Sequence, residues 1–205
     1  MGRKHHGRGL GVPLVAVWVL AVGVGLSGLL KYAGTPGVSA TPPLLWPAEA
    51  SIQRARDRLT LLIFLHPRCP CSDSTIEELA HIVAAAPERL KVYVVFYAPE
   101  HADRQWVQGR LWQSAAIVPG VKSIEDWNGQ EVKRFRTATS GQTLVYDSAG
   151  KLRFSGGITA SRGHVGDNDG RDAIVSLALH GSSALATAPV FGCSLLGTSP
   201  KENGQ

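Results

Sequence analysis

Apolar positions fall into three patterns along the chain. Residues 9–30 carry no charged side chain, and about 20 apolar residues suffice to cross a bilayer as a helix. Residues 61–65 and 90–97 are short continuous runs rich in β-branched and aromatic residues. Such runs predict strands buried on both faces. Between them Ile76, Leu79, Ile82 and Val83 recur at helical spacing, which predicts one helix with a single apolar face. Ser72 or Ser74 is placed to cap it, and Asp73, Glu77 and Glu78 crowd its positive end. Strand, helix and strand in that order predict a right-handed crossover between parallel strands.

Further along, Val107, Leu111 and Ala115 predict a helix over 101–116, weakened by Gly109, with Trp106 and Trp112 packing at its margins. A short helix is expected over 130–135, after the turn at Asn128-Gly129. The runs 142–146 and 151–155 flank Asp147-Ser148-Ala149-Gly150 and predict a β-hairpin. Ala173, Ile174, Leu177 and Ala178 give a last helix over 171–180 its inner face, with Gly181 as its stop. Residues 48–58 read as a short surface helix, 117–128 give no clear pattern, and the chain after 181 reads as mostly irregular. The expected organisation is a basic tail (1–8), a membrane anchor (9–31), a Pro/Gly-rich linker (32–47), a folded domain (48–181) and a tail carrying Cys193 (182–205).

Charge refines that picture. The net charge is +5, but Arg3, Lys4, Arg8 and Lys31 all precede the first acid, Glu49, leaving 17 basic against 16 acidic residues beyond. The excess marks membrane orientation and gives no reason to invoke nucleic acid. Basic residues ahead of the apolar run put the N-terminus in the cytoplasm. The expectation is a single-pass inner-membrane protein with its domain on the periplasmic, extracytoplasmic side. Cleavage after the small residues Val38-Ser39-Ala40 is the alternative, although the apolar run exceeds the roughly 7–15 residues of a signal core.

Three cysteines in an exported chain bring in redox chemistry. Cys69 and Cys71 sit between the C-terminal end of a buried strand and the start of a helix, where partial positive charge and free N–H groups favour a thiolate. A disulfide across one residue closes a small ring with torsions far from relaxed values, which makes it easily reduced. Pro70 stiffens the turn. Cys193 is either a third redox partner or a lone thiol in the tail. His164, Arg162, Asp167 and Asn168 lie on the loop after the hairpin, and Asn168 or Asp169 can instead cap the last helix. His66, three residues before Cys69, is an ordinary partly exposed histidine or a tuner of the thiols.

The segments LIFLHPRCPCSDSTIEEL, FRTATSGQTLVYDSAGKLRFSGG and SRGHVGDNDG resemble the thioredoxin-like superfamily. They are most similar to membrane-tethered, exported thiol–disulfide proteins of the TlpA, ResA and RedB type. The resemblance spans about residues 46–181 and implies an α/β fold with a central mixed β-sheet flanked by helices. It also implies that Cys69 is the attacking cysteine. Two departures stand out. The family's Cys-x-x-Cys becomes Cys69-Pro70-Cys71-Ser72, so Ser72 takes the second-cysteine slot. Gly141, in Ser140-Gly141-Gln142, stands where the family has a cis-proline.

The resemblance implies a thiol–disulfide oxidoreductase without a cofactor, acting on exported protein disulfides or thiols. Cys69 attacks, Cys71 or Cys193 resolves, and Pro70, Ser72, Ser140, Gly141 and His164 are candidate supporting residues. The alternative is a Sco-like copper-binding assembly factor, in which Cys69, Cys71 and His164 supply two sulfurs and a nitrogen suited to copper. A thiol peroxidase is disfavoured, because the turn lacks the Pro-x-x-x-Thr-x-x-Cys pattern.

Overall fold

The computed structural model describes residues 11–196 and divides into two compact units, Met1–Thr35 and Pro36–Gln205. The basic residues Arg3, Lys4 and Arg8 lie outside the described residues. The first unit is helix α1 (Gly11–Ala33), 23 residues whose most apolar 18-residue window has a mean hydropathy of 2.2, with no side chain buried within the structure. Its length and composition suffice to cross a membrane.

The second unit is built on β1 (Leu59–Leu65), whose side chains alternate between two cores. Leu61, Ile63 and Leu65 face one side of the sheet, and Leu62 and Phe64 the other. A strand buried on both faces gains nothing from polar alternation, which is why the run reads as continuous. β2 (Leu90–Ala98) pairs parallel to β1 and divides its side chains in the same way. β3 (Val121–Trp127), β4 (Gln142–Tyr146) and β5 (Leu152–Gly156) complete a five-stranded mixed sheet in the order β3-β2-β1-β4-β5. β2 and β3 pair parallel, while β1–β4 and β4–β5 are antiparallel.

Helices α2 (Ser72–Ala85), α3 (Arg104–Val107), α4 (Arg110–Ala116) and α6 (Asp169–His180) cover the first face. Ile76, Leu79, Ile82, Val107, Leu111, Ile174 and Leu177 are buried there. The second face is covered by α5 (Gln130–Arg134) through Val132, by Ile52 and Phe135, and by Leu195 from the tail. α6 starts and stops as expected. The Asn168 side chain accepts the Arg171 N–H at 2.8 Å, and Gly181 closes the helix in the left-handed conformation.

Several expectations change. Residues 48–58 form turns and bends rather than a helix. The Ala55 N–H goes to the Thr60 hydroxyl at 2.8 Å instead of to a helical carbonyl, and Ile52 and Ala55 are buried. The helix expected over 101–116 is two helices, because Gly109 is extended and Asp103 caps the first by accepting the Trp106 N–H. Residues 121–127 form an edge strand. Within the Pro/Gly-rich stretch, residues 37–46 pack on the domain. Leu45 bridges to Lys151, the Tyr146 hydroxyl donates to the Pro43 carbonyl at 2.8 Å, and the Trp46 ring packs on Phe135 and Tyr146. The described part of the tail packs on the domain too, with Thr187 bridging to Ser155 and Ser194 to Thr139.

Candidate functional site

β1 ends at Leu65 and delivers a tight turn, in which Cys69 donates its N–H to the His66 carbonyl at 3.0 Å. The Ser72 N–H then bonds the Cys69 carbonyl at 3.1 Å, and α2 begins at Ser72. Neither expected serine caps the helix. Cys71 occupies the capping position without a side-chain bond, while Ser74 donates its hydroxyl to the Cys71 carbonyl. With the Ser72 N–H spent on the Cys69 carbonyl, the rest of the helix's first turn lends its partial positive charge to the region of the sulfurs.

The tail carries Cys193 back to this turn. Its Sγ lies 3.3 Å from Cys69 Sγ, and the ligand atoms of Cys69, Cys71 and Cys193 all fall within 4.8 Å of one another. All three are free thiols. Cys69 is only 2 % exposed, whereas Cys71 and Cys193 are half-buried.

Electrostatics separate the three. Burial raises the Cys69 thiol, but hydrogen bonds from the backbone and thiol of Cys193, the Ser72 hydroxyl and the Cys71 backbone outweigh it, holding Cys69 below the ordinary value. Burial and then the neighbouring Cys69 charge push Cys71 up, with Arg162 opposing. Burial, the hydrogen bond with Cys69 and the charges of Cys69 and Cys71 push Cys193 up to about 12, again with Arg162 opposing. Cys69 is the thiol that ionises first, and its neighbours keep their protons.

Ser72 and Ser140 support Cys69 by a chain of donors. His66 gives its backbone N–H to Ser140 Oγ at 2.9 Å, and Ser140 Oγ lies 2.9 Å from Ser72 Oγ. With Ser72 donating to Cys69, Ser140 donates to Ser72. Gly141 adopts φ +95° and donates its N–H to the Phe64 carbonyl at 2.8 Å, holding the 138–141 loop to the end of β1. That backbone conformation favours glycine.

His164 is not brought to the sulfurs. Its ring lies exposed, with Nδ1 3.0 Å from the Arg162 carbonyl, and among the described residues the metal-competent cluster at the turn is the three cysteines. Asp167 is exposed and pairs with Arg171, and Asn168 serves as the α6 cap. Arg162 is the loop residue that reaches the site, bonding the Gly192 carbonyl beside Cys193. Glu78, fully buried on α2, holds that loop by accepting the Gly166 N–H at 2.7 Å and pairing with Arg171 at 3.0 Å. Burial, then the Arg68 charge, keeps the His66 ring below its usual value. His66 packs edge-on against Trp106 at 5.6 Å, and Arg68 lies 5.0 Å over the same indole. Trp106 thus belongs to the rim of the turn, a placement its sequence neighbours did not signal.

No protein-family model matches the sequence, and no curated protein matches it. Solved structures do. An uncharacterised conserved protein from Geobacillus kaustophilus is 17 % identical with a TM-score of 0.55, over 79 % of this chain and 92 % of that one. A hypothetical protein from Sinorhizobium meliloti is 21 % identical with a TM-score of 0.54, over 80 % and 96 %. A thioredoxin-like protein solved in its oxidised form is 16 % identical with a TM-score of 0.48, over 75 % and 99 %. The β3-β2-β1-β4-β5 sheet, with a cysteine turn heading its first crossover helix, is the thioredoxin-like fold that the sequence resemblance implies.

Proposed function

We propose that the chain is a membrane-anchored, extracytoplasmic thiol–disulfide oxidoreductase of the TlpA, ResA and RedB kind. Cys69 attacks a disulfide of an exported partner, and Cys193 resolves the mixed disulfide. One observation carries this reading: the most acidic thiol of the three lies 3.3 Å from Cys193 Sγ, a residue 124 positions away in sequence. Thiol–disulfide exchange needs a thiolate nucleophile and a second sulfur within reach of it. The apolar helix α1 and the basic residues ahead of it support the anchored, exported placement. Run in reverse, the oxidised pair accepts electrons from partner thiols.

The test uses the full chain in detergent micelles, equilibrated across graded thiol/disulfide buffers, alkylated and mapped by mass spectrometry. Cys69 and Cys193 are expected to titrate together as one two-electron couple that survives Cys71→Ser and is lost in Cys193→Ser. A couple between Cys69 and Cys71 that ignores Cys193→Ser moves the resolving role to Cys71. The absence of any reversible pair refutes the redox reading.

A second reading rests on the three sulfurs lying within 4.8 Å of one another. Such a donor set suits a soft ion such as monovalent copper. Cys193 then replaces His164 in the ligand set first expected. Copper bound one to one, lost in Cys193→Ser and kept in His164→Ala, is the outcome that supports this reading.

A further inference from the structure

The segment that delivers Cys193 is paired to the 138–140 loop through one antiparallel bridge. Ser140 donates its N–H to the Cys193 carbonyl at 2.8 Å, and Leu195 donates its N–H to the Ala138 carbonyl at 2.9 Å. Thr139 and Ser194 form the antiparallel bridge between those bonds. Gly192 passes so near the Ser140 carbonyl that any Cβ there would overlap its oxygen. Two residues beyond Cys193, the Leu195 side chain is fully buried with Phe64 and Phe135 in the second core. With the segment in place, Cys69 is 2 % exposed.

The sulfur that must meet an external partner is therefore covered by the protein's own chain. What covers it has three separable parts: a cysteine at Cys69, a main-chain pairing to 138–140, and an apolar side chain in a pocket. None of these requires a covalent link to residue 196. An extended peptide with a small residue before its cysteine and an apolar residue two after it satisfies the same edge.

We propose that residues 191–195 are an internal stand-in for the partner. The segment lifts, a partner's cysteine strand docks on the 138–140 edge in its place, and the returning segment expels that partner. The proposal rests on the oxidoreductase reading above. In the first step the Cys69 thiolate attacks one sulfur of the partner disulfide, and the other partner sulfur leaves as a thiolate that takes up a proton. In the second, Cys193 gives its proton to solvent and attacks Cys69 Sγ. The Cys69–Cys193 bond forms, and the partner leaves with its second sulfur as a thiolate, which is protonated. Two electrons have passed from the cysteine pair to the partner. Partner and resolving segment compete for one edge, so release of the product and closure of the site are a single event.

The test uses the full-length Cys71→Ser/Cys193→Ser chain in detergent, where Cys69 is the one remaining thiol. The probe is an octapeptide of sequence 189–196, its cysteine activated as a mixed disulfide with 5-thio-2-nitrobenzoate, whose release reports attack by Cys69. Adding Leu195→Ala removes the buried anchor, and adding Gly192→Ala separately forces the segment off Ser140. Each is expected to raise the peptide's second-order rate at least ~10-fold, given what a buried leucine contributes. A peptide with its glycine changed to alanine is expected to lose most of that gain. Rates unchanged in both variants overturn the proposal, because the segment is then no barrier. Equal gains for both peptides also overturn it, because the edge then reads no sequence. If Leu195→Ala fails to fold, Gly192→Ala decides alone. The wild-type couple in graded thiol/disulfide buffer separates the two failures. An intact couple with indifferent peptides refutes only this proposal, and a missing couple refutes the oxidoreductase reading.

Discussion

Ser72 occupies the slot where a second cysteine is expected, and its replacement gives a sharp test of the site's electrostatics. The side chain is 1 % exposed, and its hydroxyl stands between Ser140 Oγ and Cys69. A hydrogen bond to an ionised group contributes about 1.5–3 kcal/mol. In Ser72→Ala the Cys69 thiolate keeps its donors from Cys193 and from the Cys71 backbone, so the lower end of that range applies. One pKa unit corresponds to about 1.36 kcal/mol, and the Cys69 value is therefore expected to rise by about one unit. The assay is thiolate absorbance against pH in a Cys71→Ser background. Cys193 is pushed up to about 12, so the first step in absorbance belongs to Cys69. Absorbance needs no reagent to enter the buried site. The same hydroxyl also holds Ser140, so a melting curve must accompany the titration, with an expected loss of about 1 kcal/mol. A midpoint within about 0.3 unit of the parent, in a folded protein, refutes the donor chain from His66 through Ser140 and Ser72.

Two other perturbations reach the site from the loop. Arg162→Gln removes the cation that favours the ionised forms of both Cys71 and Cys193. It is expected to slow resolution of a preformed Cys69 mixed disulfide by a constant factor while Cys193 is protonated, with the loss shrinking as pH climbs high enough to ionise Cys193; a loss that persists once Cys193 is ionised counts against an electrostatic role. Glu78→Ala removes two charge-assisted bonds, to Gly166 and Arg171. Part of that loss is offset because the carboxylate's own burial cost disappears as well. Chemical unfolding is expected to show a loss of about 2–3 kcal/mol, together with faster hydrogen exchange over 161–170, and a change below about 0.5 kcal/mol contradicts this account.

The sequence was most legible where burial alone sets the pattern. β1, β2 and the inner face of α2 are read from continuous or helically spaced apolar residues, and Cys69 follows from its place between them. β3 was not legible because it is an edge strand in which Lys122, Ser123, Glu125 and Asp126 interrupt any apolar run. The role of the tail was hidden for a different reason. Its contacts with the domain are largely main chain to main chain, at Gly156, Gly157 and Gly192, where a side chain would have no room. Such contacts leave no periodicity, and nothing in the sequence separates the buried Leu195 from its apolar neighbours Val190, Phe191 and Leu196, which are not buried. The sequence placed the hairpin loop correctly at the cysteine edge, but its inward residue is Arg162 and not His164, because Glu78 and Arg171 fix the loop's other end.

The main-chain bond from Gly37 to the Val190 carbonyl fastens the start of the domain to the strip that ends at Cys193, and the bond from the Thr139 hydroxyl to the Val38 carbonyl fastens it to the loop that strip pairs with. Where a soluble version of this protein is cut therefore affects its chemistry. A fragment begun near residue 48 keeps every strand of the sheet and all three cysteines, yet it lacks the stitch that seats the resolving sulfur. Its potential is expected to describe a looser pair than the one the whole chain carries. A fragment begun at Pro36 retains the stitch, and comparing the two isolates what those dozen residues do for the site.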